Sequence, residues 1–493
     1  MSGRRTALVM ILVVAWTLLW VQLHPATPLH PGSDVYEQLT VAQHLVDGDG
    51  FFNDITYPLS AAFPFAAHLP QPLVHRPPGY SLLLIPAVVL GGSPEGILHG
   101  VRVQQVLLLG LIVLVGVVPL ARRGRLDTIL VWLSLLLVNP LLDMGVRWGL
   151  VEVVVALVLM LLWHRRQPGD LRSGLTDGLL AAVIALLRLE LLWLPWLWLT
   201  SRNRPSKQWW LGAVTVWVVL MAPWAVRNVI VTGDPFFSLQ AHAEHLKGTS
   251  EFSSSSPYQS LSPENFVTTI ERAPQLILRK TISGVRYQAK HLNKWLSWPL
   301  LIAGMMAMVA ARVAQRRRSA QQVAHQASSR VMLLGASLGL CVLLYAPLSH
   351  DPRHLLPLFP VLSLELVTIT TALISAMTRS SLSRWATMAA FVILMVGLFP
   401  ARMSGWDRVR HEAAATQVQI DQAVLRIATM PPGPLFTDQA ATLWFAQRMG
   451  MTMPATEMDI SKLRAMVPEL ANAGVVILDQ LNSRDERQDK ATK

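Results

Sequence analysis

The stretch Ala7–Leu23 reads ALVMILVVAWTLLWVQL, which is 17 residues without a charged side chain shortly after Arg4 and Arg5. A helix of this length comes close to crossing the roughly 30 Å hydrocarbon core of a bilayer. A signal peptide is the alternative, but the run is longer than a usual signal core and no small-x-small cleavage site follows it. We therefore predict an uncleaved first membrane helix.

Similar apolar runs recur along the chain, which indicates that most of it lies in a lipid bilayer. Of the 493 residues, 52% are apolar and 15% are charged, whereas roughly 25% of an ordinary soluble domain is charged. The runs indicate about eleven spans, so we predict an α-helical polytopic membrane protein with its two ends on opposite sides. The predicted spans lie near residues 7–23, 97–120, 126–140, 147–163, 174–188, 189–200, 208–225, 295–311, 331–348, 354–376 and 385–400.

A net charge of +12 is compatible with a nucleic acid partner, so the positions of the cations have to be considered. They lie in short connections between the predicted spans, which the positive-inside rule assigns to the cytoplasm. We therefore expect no nucleic acid partner, and we place the first external loop (24–96), the second external loop (226–294) and the C-terminus on the opposite face. The basic connections contain Arg122, Arg123, Arg125, Arg165, Arg166, Arg172, Arg202, Arg204, Lys207, Arg312, Arg316, Arg317, Arg318, Arg379 and Arg384.

The C-terminal part of the chain is a different kind of sequence. The stretches Gly433–Asp438 and Gly474–Asp479 each combine a glycine turn, a short apolar strand and a polar end. We predict a membrane domain over residues 1–400 and a small extracytoplasmic α/β domain over residues 401–493. The single cysteine, Cys341, lies in an apolar run, which excludes disulfides and cysteine-based metal sites.

The first external loop contains a predicted helix just beyond the first span. Val35, Leu39, Ala42 and Leu45 fall on one face of a 3.6-residue period, and glycines follow them. Asp34 stands at the start of this helix. An N-cap is the simplest alternative to a functional role for its carboxylate.

Ionisable residues recur where the predicted spans meet the external water. A GxxxxGKS/T phosphate loop and an HExxH zinc motif are both missing from the sequence, so ATP-driven pumping and zinc proteolysis are disfavoured. Each cluster alone also fits a helix cap, a snorkelling arginine or a neutralising pair. Together they bring arginines and carboxylates to one face, which suits a phosphate head group and an acid or base. The clusters are Gly32–Glu37, His75–Tyr80, Arg147 with Glu152, Arg188 with Glu190, Pro223–Asn228 and His350–His354.

The order of these features resembles that of the GT-C superfamily of multispanning glycosyltransferases, which includes protein O-mannosyltransferases and the aminoarabinose transferase of lipid A. The resemblance covers most of residues 1–400 and implies a GT-C-like helical bundle. It is carried by Ser33–Tyr36, Gly48–Gly50, Arg76–Leu84, Leu187–Glu190, Pro223–Trp224, Arg227–Asn228, and Arg353–Pro357 with Pro360.

The resemblance implies an inverting transfer of a hexosyl or pentosyl group from a polyprenyl-phosphate sugar. The acceptor would be a cell-envelope lipid, glycan or protein at the outer face of a bacterial inner membrane. Asp34 stands where the family has its catalytic base, and Glu152 where many relatives carry a second acid that orients the acceptor or a metal. Such a base takes the proton of an attacking hydroxyl, while a cation stabilises the departing phosphate.

Arginines are the expected ligands of that phosphate, because the planar guanidinium matches phosphate geometry. Two departures from the family pattern matter. Val35 follows Asp34 where relatives often show a second acid, which leaves the need for a divalent cation open. His354 follows Arg353 where relatives commonly have tyrosine, although histidine also donates one hydrogen bond. The candidates for holding the donor phosphate and its lipid are Arg76, Tyr80, Arg227, Arg353 and His354.

Two other functions remain open at the level of the sequence. A transporter or flippase of lipid-linked sugars also binds a phosphate head group, although transporters usually place charged sites near the midplane on broken helices. A membrane scaffold whose external tail binds a partner is the third alternative. No motif indicates the sugar, the acceptor or the oligomeric state.

Overall fold

The computed structural model describes residues 3–24, 29, 33–165, 169–202, 206–250, 252, 257–295, 318–349, 351–377, 399–438, 440–452 and 457–476. The predicted spans at 295–311 and 385–400 lie almost wholly outside these residues. The polar end predicted at 477–479 also lies outside them.

Helices dominate the described residues, as the apolar runs predict. The helices are α1 Gly3–Leu23, α2 Val35–Asp47, α3 Gly79–Gly91, α4 Pro94–Arg122, α5 Leu126–Leu137, α6 Pro140–Arg147, α7 Val151–His164, α8 Leu171–Leu187, α9 Trp193–Arg202, α10 Lys207–Thr232, α11 Phe266–Arg272, α12 Pro274–Trp295, α13 Arg318–Tyr345, α14 Phe359–Met377, α15 Phe399–Ala428, α16 Ala440–Ala446 and α17 Glu457–Met466.

The chain is a membrane protein with several apolar helices. Within the described residues, four stretches are long and apolar enough to span a bilayer, and α5 with α6 adds a fifth if this pair, bent by 59°, is one span. The bend follows from Asn139, whose side chain caps α6, and from Pro140, which has no N–H to continue α5. The count of eleven spans stays a prediction. The four stretches are Thr6–Leu23, Pro94–Arg122, Lys207–Thr232 and Arg353–Thr371.

Glycines set the closest helix packing, between α8 and α10. A Cβ atom on Gly174 would lie 2.2 Å from the carbonyl oxygen of Trp209, and one on Gly178 would lie 2.2 Å from that of Ala213. Both distances are far below van der Waals contact, so only glycine allows these backbones to approach. Small residues commonly allow such approach in membranes. At the other end of α8, a Cβ atom on Gly79 would lie 2.6 Å from the carbonyl oxygen of Leu186. This close packing against the start of α3 places the end of α8, and Arg188 after it, beside the first external loop.

The predicted first-loop helix is present as α2 and ends at Gly48, which adopts a φ of +89°. Its predicted apolar face is buried at Val35, Leu39 and Ala42, which are 0–1% exposed, and partly buried at Leu45. The Ser33 hydroxyl donates a hydrogen bond of 2.5 Å to the carbonyl oxygen of Trp148. The start of α2 is therefore fixed against the connection between α6 and α7.

A small parallel sheet joins the C-terminal residues to the first loop. Its order is β2-β5-β4-β6, and both predicted C-terminal strands are present in it as β4 and β6. The fourth strand, β2, comes from the first loop and pairs with β5. The sheet is therefore shared between the two parts of the chain, and an independent domain over 401–493 stays a prediction. The strands are β1 Phe52–Asn53, β2 Ile55–Thr56, β3 Gln71–Pro72, β4 Leu435–Thr437, β5 Gly450–Thr452 and β6 Gly474–Val476.

Candidate active site

The Asp34 carboxylate lies between two arginines from distant parts of the sequence. Its Oδ2 atom is 2.9 Å from Nη2 of Arg76 and 2.8 Å from Nη1 of Arg353. It accepts no hydrogen bond from the start of α2, so the capping interpretation does not hold. The side chain is 24% exposed. Asp34 is therefore an accessible carboxylate with two cationic partners.

These partners determine the charge state of Asp34. Burial alone would raise the pKa of this carboxyl, but the attraction of Arg353 and then of Arg76 outweighs burial and holds the pKa well below its usual range. Asp34 is consequently ionised at neutral pH. It is also a weak base for as long as both guanidiniums stay against it.

Arg353 is positioned by its own turn. The Asp351 side chain accepts a 2.9 Å hydrogen bond from the Arg353 backbone N–H and lies 3.1 Å from its Nε atom. The same Nε is 4.0 Å from Glu152 Oε1. The turn thus presents the guanidinium toward both candidate acids.

A second arginine site, centred on Arg188, lies behind the first. Arg188 leaves the helix with an extended φ of −148°. Its guanidinium forms an ion pair with Glu152 and a second one of 2.5 Å with Glu190. Glu152 is 1% exposed and Arg188 is 4% exposed. Because both charges are buried, each depends on the other for compensation.

Glu37 and His75 form a support beside Arg76. Both lie in the ionisable clusters of the sequence, but neither is among the predicted site residues. His75 Nδ1 is 3.0 Å from a Glu37 carboxylate oxygen, and its Nε2 is 3.3 Å from the Tyr258 hydroxyl. The Nε atom of Arg76 lies 3.8 Å from Glu37. The only sequence signals for this support are the position of Glu37 on the face of α2 next to Asp34 and the His75–Arg76 dipeptide.

Part of this cluster lines a small pocket at the loop end of the helices. Arg76 and Arg188 line the pocket together with the carboxylates of Asp34, Glu152 and Glu190. Arg353, Glu37 and Asp351 belong to the same ion-pair cluster but do not line the pocket. All three arginines already have carboxylate partners. An anionic ligand can therefore gain an arginine only by displacing a carboxylate, and Asp34 is more exposed than the deeply buried Glu152. The pocket is lined by Asp34, Val35, Gln38, Arg76, Pro77, Tyr80, Gly149, Leu150, Val151, Glu152, Leu187, Arg188, Glu190 and Gln240.

The comparisons with known proteins place this arrangement in a known fold. No protein-family model and no curated protein sequence matches the chain. Among solved structures, ArnT from Cupriavidus metallidurans bound to undecaprenyl phosphate is similar, with 13% identity, a TM-score of 0.52, and coverage of 97% of this chain and 90% of that one. ArnT is the lipid A aminoarabinose transferase, a GT-C protein. The chain has the GT-C fold.

Two further structures agree with that fold. Apo ArnT from the same organism gives 13% identity and a TM-score of 0.52 over 94% of this chain and 89% of that one. The Archaeoglobus fulgidus oligosaccharyltransferase in complex with Zn and sulfate gives 11% and 0.51 over 94% and 67%. At these identities the likeness concerns the fold. The GT-C-like bundle implied by the sequence resemblance is thereby confirmed.

Within the GT-C fold, Tyr80 lines the pocket but its hydroxyl is already bound. It donates to the carbonyl oxygen of Gly149 and accepts a 2.8 Å hydrogen bond from Nε2 of Gln105. These contacts tie the start of α3 to α4 and to the connection before α7. They account for the burial of Tyr80 without a contact to phosphate.

His354 lies behind Arg188 and outside the pocket lining. Its Nδ1 accepts a 3.2 Å hydrogen bond from Nη1 of Arg188, because a guanidinium can only donate. The imidazole ring stacks on Tyr345 with centroids 4.6 Å apart. These contacts make His354 a support for Arg188.

Arg227 also lies away from the cluster around Asp34. Its guanidinium donates to the carbonyl oxygens of Leu73 at 2.6 Å and Phe51 at 3.3 Å, and it lies 4.9 Å from the centre of the Trp224 ring. It therefore fastens α10 to the first external loop. The structure does not bring it together with Arg76 and Arg353.

The expected pairing of Arg147 with Glu152 is wrong. Arg147 pairs with Asp143 one turn earlier in α6, whereas Glu152 pairs with Arg188. Five residues place two side chains near one face only if the helix is continuous. Here α6 ends at Arg147, and Gly149, with a φ of +63°, turns the chain before α7.

One further motif is excluded by its location. Gly335-Ala336-Ser337-Leu338-Gly339 matches the GxSxG pattern of hydrolases, in which the serine occupies a sharp turn between a strand and a helix. Here it lies inside α13, and the Ser337 hydroxyl donates to Leu333 O and accepts from Nε1 of Trp198. Ser337 is a buried helix–helix contact.

The residues present do not form an evident metal site. Within the described part of the chain, no group of three or more His, Cys, Asp or Glu side chains is arranged to hold a metal ion. The carboxylates at the pocket are instead matched with arginines.

Proposed function

We propose that this protein is an inverting glycosyltransferase that moves a hexosyl or pentosyl group from a polyprenyl-phosphate donor. The acceptor is a cell-envelope lipid, glycan or protein, and the reaction takes place at the outer face of a bacterial inner membrane. The observation that carries the proposal is the bridge Arg76–Asp34–Arg353 at the loop-end pocket. This bridge combines two arginines that can bind a phosphate with an accessible carboxylate. A polyprenyl phosphate bound to ArnT, which has the same fold, supports the donor class.

The donor phosphate binds by replacing Asp34 as the counter-ion of Arg76 and Arg353. Phosphate has more acceptor oxygens than a carboxylate and takes bidentate hydrogen bonds from guanidinium groups. Once the arginines contact the phosphate, Asp34 loses the attraction that holds its pKa low. Donor binding thus changes Asp34 from a weak base into a stronger one.

Sugar transfer is then a single displacement at the anomeric carbon of the donor. The acceptor hydroxyl oxygen attacks the anomeric carbon and forms the new C–O bond while Asp34 accepts its proton. The bond from the anomeric carbon to the phosphate oxygen breaks, and polyprenyl phosphate leaves with the electron pair. Arg76 and Arg353 stabilise the charge that grows on this phosphate. Attack opposite to the leaving group inverts the anomeric configuration.

Replacing Arg353 by alanine tests the phosphate contact. We expect Arg353→Ala to raise the half-saturating donor concentration at least tenfold, because one of two charge-assisted contacts is lost. Release of polyprenyl phosphate from a synthetic polyprenyl-phosphate sugar, measured against donor concentration, gives this value. Arg272→Ala is the control, since that arginine lies in the second external loop with its side chain 47% exposed. An unchanged donor dependence in Arg353→Ala would remove Arg353 from the donor site.

A further inference from the structure

A second cavity lies between α1, α4 and α6, at the same end of the bundle as Asp34. We call this cavity the lipid-side groove, and it is open along one side. Its outer wall contains Val21, Val103 and Leu107, which are 42%, 46% and 63% exposed. Exposed apolar side chains on two membrane-spanning helices face acyl chains. The groove is lined by Trp20, Val21, His24, His99, Arg102, Val103, Val106, Leu107, Val146 and Arg147.

Arg102 gives this apolar groove a cation with no carboxylate partner. It lies more than two turns inside α4, which is long and apolar enough to span the membrane. In the part of the chain that the structure describes, Arg102 makes no ion pair and its buried Nε atom has no hydrogen bond. An arginine in a membrane helix is costly unless it meets an anion. By contrast, neighbouring Arg147 is paired with Asp143.

Trp20 provides a second unused donor at the same place. It is 2% exposed, and its Nε1–H has no hydrogen-bond partner among the described residues. Buried indole N–H groups normally find an acceptor. Two donors without acceptors therefore belong to one groove, whose other lining residues are apolar except for His24, His99 and the paired Arg147. The polar donors and the apolar wall of the groove complement the head group and the acyl chain of an amphipathic lipid.

The groove and the candidate active site share a thin wall. Val146 and Arg147 line the groove, and Gly149 and Glu152 of the same segment line the pocket. At Gly149, an added Cβ atom would lie 3.1 Å from Cγ1 of Val101 in α4. The segment from Val146 to Glu152 therefore borders both cavities, and the Val101 side chain packs against its backbone at Gly149.

We propose that the lipid-side groove binds an anionic membrane lipid, with its phosphate at Arg102 and its acyl chain along Val103 and Leu107. The site is distinct from the donor phosphate site at Arg76 and Arg353. Basic pockets between membrane helices bind anionic head groups in this way. Binding here requires no sugar transfer, so this proposal and the proposed function fail or succeed independently.

Native mass spectrometry of the purified full chain tests the proposal, with dioleoyl phosphatidate compared against dioleoyl phosphatidylcholine. We expect phosphatidate to bind about fivefold more tightly, which is the contribution of one arginine to an anionic lipid. Arg102→Gln should abolish this preference. Arg123→Gln, which removes an exposed charge after the other end of α4, should keep it.

A second variant, which blocks the groove sterically, tests the proposal even if Arg102→Gln misfolds. Val103→Trp places a large side chain at an exposed position in the groove and should reduce binding of both lipids. The proposal is overturned if wild-type protein shows no preference for phosphatidate. It is also overturned if Arg102→Gln keeps the preference, if Arg123→Gln loses it equally, or if Val103→Trp binds both lipids as wild type does.

Discussion

Asp34→Asn is expected to lower kcat for sugar transfer by about 10²- to 10⁴-fold, the usual contribution of a general base. The amide cannot accept the proton of the acceptor hydroxyl. The same change removes the counter-ion that Arg76 and Arg353 share, so the donor no longer has to displace a carboxylate. We therefore expect donor affinity to be equal or higher while transfer fails, as measured by donor binding and initial rates.

Asp47→Asn is the matched control for this experiment. Asp47 ends the same helix, α2, and is exposed, so its replacement should leave both quantities unchanged. A purely structural Asp34 would lose donor affinity and folding together with the rate. Full transfer activity in Asp34→Asn would exclude it as the base.

Arg188→Met is expected to have the largest effect on stability. It leaves Glu152, which is 1% exposed, with only the 4.0 Å contact to Arg353, and removing one member of a buried ion pair typically costs about 3–5 kcal/mol. The measurement is thermal or denaturant unfolding of the purified protein in one detergent. Adding Glu152→Gln to Arg188→Met should recover part of the loss, because no uncompensated charge then remains at that position.

The control for Arg188 is an exposed ion pair. Arg272→Met breaks a contact with Glu264 whose side chains are 47% and 33% exposed, and such pairs contribute only about 0–1 kcal/mol. Equal stability losses in the two arginine variants would show that Arg188 is not a buried structural charge. No recovery in the double variant would show that Glu152 is not the group it compensates.

The sequence predicts which residues reach the loop end of the bundle better than it predicts their partners. Asp34, Arg76 and Arg353 each lie next to an apolar run, and hydropathy alone assigns them to one face. Their contacts join positions separated by 42 and 319 residues, and no local period encodes such pairing. Their expected roles, as a base and as ligands of a phosphate, came from the resemblance to a known family in the order of its motifs.

Residue spacing along the sequence predicted the wrong partner for a charged side chain where a helix ended. It also failed where another group lay closer in the fold. The five-residue spacing suggested an Arg147–Glu152 pair, but the end of α6 separated them and Arg188 took Glu152. Arg227 follows Trp224 at the predicted end of a span, yet the backbone carbonyls of Leu73 and Phe51 bind it. Those oxygens have no signature in the sequence.

The shared sheet was predicted only in part for the same reason. β4 and β6 carry a glycine followed by apolar residues, which is a recognisable strand pattern. The neighbour of β4 on its other side, β5, also pairs with β2, a strand of two residues at Ile55–Thr56. Two residues are too few to show a period, so the link between the tail and the first loop becomes visible only in three dimensions.

We propose that the protein transfers the sugar from its lipid donor to an acceptor rather than moving intact lipid-linked sugars across the membrane. The direct measurement uses proteoliposomes that contain the protein, a polyprenyl-phosphate donor labelled in its sugar, and extracted cell-envelope lipids and glycans. We predict that label leaves the polyprenyl phosphate for a new acceptor, with one polyprenyl phosphate released per sugar, and that Asp34→Asn abolishes this. Label that changes leaflet while still bonded to polyprenyl phosphate, equally in wild type and Asp34→Asn, would contradict the claim.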